Sequence, residues 1–172
     1  MPGIIAYFCH DNGSVDRAFE EVDRERTLEF AVALGSHAEL QSAPVSSIHI
    51  LSCPSQHARG CAQTLIDLLE PKQPRFLDEL WSYGSDSERN FEAAHRFILR
   101  HAEESSVLIV VTGWAMAACL SHLYFHDVLK QRVVRYPLDP FEARVILPDQ
   151  RRSICVNGRD AHIKDKAHAP MY

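Results

Sequence analysis

The sequence contains no apolar run approaching the roughly 20 residues that a membrane-spanning helix requires. Its clearest apolar segment, Val107 to Val111, has only the length of a core strand. Positive charge is not in excess either. Eighteen Lys and Arg against 23 Asp and Glu leave −5 with histidines neutral, which excludes a global basic surface for nucleic acid or an anionic membrane. The five cysteines are scattered, odd in number and without a CxxC pair, so reduced thiols are expected rather than a disulfide framework. Met1-Pro2-Gly3 leads into a strand-like segment, not into the basic and long apolar regions of a secretory signal, and the expected location is cytoplasmic. No repeat, linker or low-complexity stretch interrupts the chain. What is present is ordinary for a globular protein: 172 residues, 46% of them apolar, enough for one core. A single domain is expected over residues 1–160, followed by a loose polar tail at 161–172.

Hydrophobic periodicity predicts alternating strands and helices. Ile4-Ile5-Ala6-Tyr7-Phe8 reads as a buried strand stopped by Cys9-His10-Asp11-Asn12-Gly13. A helix is predicted over 23–35, with Leu28, Ala31, Val32 and Gly35 at helical spacing and Gly35 as its C-cap. A strand over 45–51 is broken at Ser52-Cys53-Pro54. It leads into a helix over 55–69 that carries Ala58, Ala62, Leu65 and Leu69 on one face, closed by Pro71 and Pro74. Residues 75–80 read as a short strand, and 87–103 as a helix with Phe91, Ala94, His95 and Ile98 inward. Residues 107–111, mostly β-branched, suit a strand buried on both faces. A helix over 114–129 and extended segments at 133–136, 141–147 and 153–156 complete the pattern. The expected architecture is α/β: three layers around a mostly parallel central sheet with an antiparallel edge.

In open α/β sheets ligands sit beyond the C-terminal ends of the strands. That rule selects Cys9-His10-Asp11-Asn12, the stretch from Ser52 to His57, and Thr112-Gly113-Trp114, with the loop around Glu79 able to fold over the same rim.

The order of these segments resembles the histidine phosphatase (phosphoglycerate mutase-like) superfamily, most closely the small bacterial phosphohistidine phosphatases. In that family the first strand ends in Arg-His-Gly, where this chain has Cys9-His10-Asp11. A second strand leads to Ser-Pro and a helix with Arg-Ala. Here the run is Ser52-Cys53-Pro54-Ser55-Gln56-His57-Ala58-Arg59-Gly60-Cys61-Ala62. Leu77-Asp78-Glu79-Leu80 with Gly84 echoes a Leu-x-Glu-Leu segment. The apolar strand ending at Thr112 is followed by Gly113 where the family has a second histidine. The likeness spans roughly residues 3–125.

The resemblance implies a mechanism in which the first histidine takes the phosphoryl group, cationic side chains surround its oxygens, and an acid protonates the leaving group. Carried over by position, His10 is the nucleophile and Glu79 the acid. Cys9, Asp11, His57, Arg59, Thr112, Gly113 and Trp114 form the ligand-binding surround. Cys9 offers no positive charge, Asp11 opposes a phosphate dianion, His57 is at most a partial cation, and Gly113 donates nothing. One such donor is worth about 3 kcal/mol to a developing oxyanion, so losing several slows turnover by orders of magnitude. The reading is therefore a histidine-phosphatase-like protein with a degraded site, acting as a non-catalytic binding or regulatory module. Its expected ligand is a phosphorylated protein or a small phosphate-containing molecule, with no nucleic acid, membrane or cofactor. The alternative is a weakly active phosphohistidine or phosphomonoester phosphatase in which His57 and Arg59 clamp the oxyanion. Helix-spaced His122 and His126 could hold a metal only with a third ligand, and none is visible. Cys9 as a thiol nucleophile lacks a phosphate-cradling loop.

Overall fold

The run Val107–Thr112 forms β4, buried at every position, and β1 (Ile4–Cys9) and β2 (Ile48–Ser52) pair with it on either side in parallel. Branched apolar side chains suit a strand covered from both faces. In this computed structural model the described residues are 3–10, 17–36, 48–69, 75–80, 87–130 and 138–157, with the backbone alone at 79 and 87–90. The sheet order is β3-β2-β4-β1-β5-β6. The short β3 (Arg75–Phe76) is parallel to β2, while β5 (Glu142–Leu147) and β6 (Arg152–Asn157) form the antiparallel edge beside β1. The mostly parallel sheet with an antiparallel edge is thus as expected.

Helices cover both faces. Successive strand residues point to opposite sides, and β1 shows it: Phe8 stacks on Phe30 of α1 (Glu21–Gly35) with ring centroids 4.3 Å apart. Its neighbour Tyr7 lies instead within electrostatic reach of Tyr124 on α4 (Trp114–Asp127). α1 packs with α2 (Gln56–Leu69) on the first side, and α3 (Ser87–Glu104) packs with α4 on the second. A stacked aromatic pair such as Phe8–Phe30 adds about 1 kcal/mol beyond its buried area.

Several expectations change. Residues 75–80 are not one strand: after β3, the Leu80 N–H bonds to the Leu77 carbonyl and closes a 3₁₀ turn (Asp78–Leu80) that buries Leu80. The inward face of α1 is Asp23, Thr27, Phe30, Ala31 and Leu34, so Val32 points to solvent; a polar pair, Asp23 and Thr27, takes places that an apolar pattern cannot reveal. Gly35 is the last helical residue of α1, and Ser36, in a right-handed conformation, caps it through its N–H on the Val32 carbonyl. Asp11, the extended segment expected at 133–136 and the tail at 161–172 lie outside the described residues. Among the described residues no helix is long and apolar enough to cross a membrane.

Candidate functional site

The register of the three central strands ends them at one level: Cys9 faces Thr112, and Ser52 faces Val111. Pairing continues one residue further, with His10 N–H donating to the Thr112 carbonyl at 3.1 Å and Cys53 N–H to the Val111 carbonyl at 3.0 Å. His10, Cys53 and Gly113 therefore emerge side by side at the C-terminal rim of the sheet. α2 begins three residues after Cys53. Ser55 Oγ accepts the Ala58 N–H at 3.0 Å there, and the first turn of the helix brings His57 over His10.

Around His10 the side chains form a continuous polar chain. His10 Nδ1 lies 3.0 Å from His57 Nδ1, and His10 Nε2 lies 3.4 Å from Cys53 Sγ, which is itself 3.4 Å from Ser55 Oγ. On its other side His57 Nε2 is 3.2 Å from Asp23 Oδ2, an ion contact set off the ideal N–H direction. Asp23 accepts both terminal nitrogens of Arg17 at 2.7 Å and the Glu20 N–H at 3.0 Å. Burial pushes the Asp23 carboxyl up, but the Arg17 and Glu20 hydrogen bonds and the nearby His57 and Arg17 charges outweigh it, bringing its pKa down to about 2. The carboxylate is therefore ionised at neutral pH and can only accept. His10, Cys53, His57 and Asp23 are each at most 3% exposed.

Aromatic side chains close over this chain. Phe19 sits on Gly60 of α2, where an added Cβ would lie 2.1 Å from its ring, and its centroid is 5.6 Å from that of His57. Phe141 meets His57 edge-on at 5.9 Å. Its backbone adopts φ 63°, a left-handed conformation uncommon for a bulky residue, and is fixed by its N–H on the Cys9 carbonyl at 2.6 Å. The Arg26 guanidinium lies 4.3 Å over the Phe141 ring and donates to the Pro140 carbonyl at 3.1 Å. A strained aromatic next to titratable groups is the kind of feature found at functional sites.

The other residues selected from the sequence lie around this chain. Cys9 is fully buried, and Thr112, also buried, donates its hydroxyl to the Leu80 carbonyl at 2.8 Å, tying the 3₁₀ turn to the end of β4. Gly113 is the buried N-cap residue of α4 and Trp114 is half-exposed beside it, outside the core. Arg59 is turned to the helix start: its Nε donates to the Pro54 carbonyl at 2.9 Å and its guanidinium lies 4.1 Å over the Phe76 ring. The backbone of Glu79 lies in the 3₁₀ turn, and Asp11 is outside the described residues. The structure thus brings His10 and His57 together and directs Arg59 and Thr112 to other partners. His126 pairs with the adjacent Asp127 at 2.8 Å, and Asp127 also lies 3.4 Å from His95. Among the described residues no three His, Cys, Asp or Glu side chains converge to hold a metal ion.

Asp23, Arg17 and Phe141 are site residues not singled out from the sequence, and Cys53 was selected only as part of the Ser52–His57 stretch, with no role of its own. Asp23 carried a local signal, a carboxylate in the first turn of a predicted helix, but that explains only its bond to Glu20. Cys53 lay inside the Ser52-Cys53-Pro54 break.

This arrangement of sheet and helices is the fold of the histidine phosphatase superfamily. The alpha-ribazole phosphatase of Shigella flexneri matches with a TM-score of 0.59 and 10% identity, over 98% of this chain and 99% of its own. A mycobacterial glucosyl-3-phosphoglycerate phosphatase matches with a TM-score of 0.57 and 13% identity, covering 84% of this chain and 90% of its own. A protein from Agrobacterium tumefaciens assigned as the phosphohistidine phosphatase SixA matches with a TM-score of 0.54 and 17% identity, over 87% and 94%. At such identities the likeness is one of fold. No family model matches the sequence, and no curated protein matches it.

Proposed function

We propose that this chain is a non-catalytic binding or regulatory module built on the histidine-phosphatase fold. The observation that carries the reading is the double engagement of His10, with Nδ1 on His57 and Nε2 on Cys53. An imidazole attacks phosphorus through an unprotonated nitrogen lone pair. If Nδ1 carries the proton, it donates to His57 and the Nε2 lone pair receives the Cys53 S–H. If Nε2 carries it, no lone pair is left on that side. Neither tautomer presents a free nucleophile toward a phosphoryl group.

The residues at the positions of the family's cations support the same reading. Cys9 and Gly113 stand where an arginine and a histidine are expected. His57 replaces a second arginine and is buried against Asp23 rather than directed at a ligand. Arg17 holds Asp23, and Arg59 holds the Pro54 carbonyl. Preorganised positive charge is most of what phosphoryl transfer asks of a protein. The module's ligand on this reading is a phosphorylated protein or a small phosphate-containing molecule held without turnover. Five free cysteines, four of them buried, fit a reducing compartment such as the cytoplasm.

Hydrolysis of an aryl phosphate and of a phosphohistidine peptide tests this reading, comparing the native protein with His10→Ala. Background-level turnover that the substitution does not change is the expected result. A phosphoenzyme trapped on His10, lost in His10→Ala, would overturn the reading and install His10 as a nucleophile with Glu79 as its acid.

A further inference from the structure

Two buried cysteines near α2 have opposite surroundings. Cys61 lies within the core with its sulfur 3.5 Å from Thr27 Oγ1, and burial pushes its thiol up to about 12. It stays a thiol across the physiological range. Cys53 sits at the rim, between His10 Nε2 and Ser55 Oγ and just ahead of the N-terminus of α2.

We infer that Cys53 is a peroxide-reactive thiol, activated by the His10–His57–Asp23 chain and converted by hydrogen peroxide to a sulfenic acid. The chain has the connectivity this requires. The Cys53 thiol faces His10 Nε2, His10 Nδ1 faces His57 Nδ1, and His57 Nε2 faces an ionised carboxylate. When the thiol proton moves to His10 Nε2, the proton on His10 Nδ1 can pass to His57. The imidazolium charge then rests 3.2 Å from Asp23 and one ring away from the thiolate. The cluster's net charge is unchanged, so no uncompensated charge is created in the interior. The main-chain N–H groups at the start of α2 favour the thiolate further. Among the described residues the titratable groups near this sulfur are His10, just past β1, and Cys61 on α2; His57, and then Asp23 with Arg17 behind it, stand further along the chain.

The oxidation balances. The thiolate attacks one peroxide oxygen, an S–O bond forms and the O–O bond breaks. Sulfur gives up two electrons, and the leaving hydroxide takes the proton held by the histidine pair to become water. The product hydroxyl can donate to the regenerated His10 Nε2 lone pair, and its oxygen can accept from the Ser55 hydroxyl. Burial selects the reagent: with Cys53 only 3% exposed, an oxidant little larger than water can reach it where a disulfide or a bulky electrophile cannot.

This inference rests on the same His10 contacts as the non-catalytic reading, but the two fail separately: a phosphoenzyme overturns that reading, and an inert Cys53 overturns this one. The test exposes the whole native protein to graded hydrogen peroxide, quenches, unfolds, alkylates, and reads thiol loss and oxygen gain at each cysteine by peptide mass spectrometry. Cys53 is expected to be consumed at least about 10-fold faster than Cys61, and His57→Gln is expected to remove most of that difference. The wild-type protein supplies a second readout independent of any variant's folding. The Cys61 rate should rise about tenfold per pH unit toward its value near 12, whereas the Cys53 rate should rise less steeply. Equal rates with parallel pH profiles, or a folded His57→Gln that oxidises at Cys53 as fast as the wild type, would overturn the inference.

Discussion

The two faces of β1 and of His10, which follows it, meet two kinds of interior. On the α1 and α2 side, His10 is one link in a chain that runs from Ser55 and Cys53 to His57, Asp23 and Arg17. On the α4 side, Tyr7 and Tyr124 are both fully buried, and among the described residues neither hydroxyl has a hydrogen-bond partner. Burial first, and then the neighbouring Tyr124, raises the Tyr7 pKa well above the usual phenol value, so the group stays neutral. A buried polar network whose members satisfy one another fixes their positions, whereas an isolated hydroxyl only costs desolvation. The first interior joins titratable groups in one continuous chain, whereas the second keeps its polar groups apart, the two phenols beside a separate Arg144–Ser121 contact.

Removing Asp23 should break the contrast most severely. Asp23→Ala leaves Arg17 and His57 without their carboxylate and should cost about 3 kcal/mol, moderated by the partial exposure of Arg17 and read from the urea midpoint. The same group sets an acid limit. Its pKa is lowered from 3.8 to about 2 on folding, so its stabilisation is complete above about pH 4 and is lost as pH falls through 2. That loss should be up to about 2 kcal/mol, and Asp23→Asn should flatten the stability profile in this window. A profile of unchanged slope in the variant would show that Asp23 does not set the acid limit.

Gly60→Ala probes the cover of the chain. The added Cβ meets three atoms of the Phe19 ring within 2.6 Å, and displacing that ring should cost about 1–2 kcal/mol and loosen the contact with His57. A melting temperature equal to the wild type's would show that Phe19 is not a seated cover. The smallest effect is expected on the other face. Tyr7→Phe removes an unpartnered hydroxyl and should leave stability unchanged or raise it by up to about 1 kcal/mol. A clear loss in the same melt would mean that the hydroxyl has a partner, such as a buried water, and that the two interiors are more alike than described.

The fold was largely legible because its signals are local. The branched run of β4, the strand breaker at Pro54 and the apolar stripe of α3 each announce an element within a few residues. The site was legible only in part. His10 and His57 follow from the family's segment order, but their mutual contact depends on how α2 sits over the strand ends. Asp23 and Arg17 join them through the packing of α1 on α2, a relation across more than 30 residues that no periodicity encodes. Phe141 is the extreme case, since neither its left-handed backbone nor its place beside His57 has a sequence mark.

Phe141 also ties the beginning of the chain to its end. Its N–H on the Cys9 carbonyl lies where β5 starts to run back along β1, and its ring forms one wall around His57. The histidine chain and one of its covers, Phe19, are drawn from the first third of the sequence, yet another wall, Phe141, comes from the residue that leads into the last strand pair. During synthesis, which proceeds from the N-terminus, His10, Asp23 and His57 leave the ribosome well before Phe141 does. The site is therefore finished late, as the β5–β6 hairpin docks, and a chain cut short before that hairpin would carry all its titratable residues without this wall.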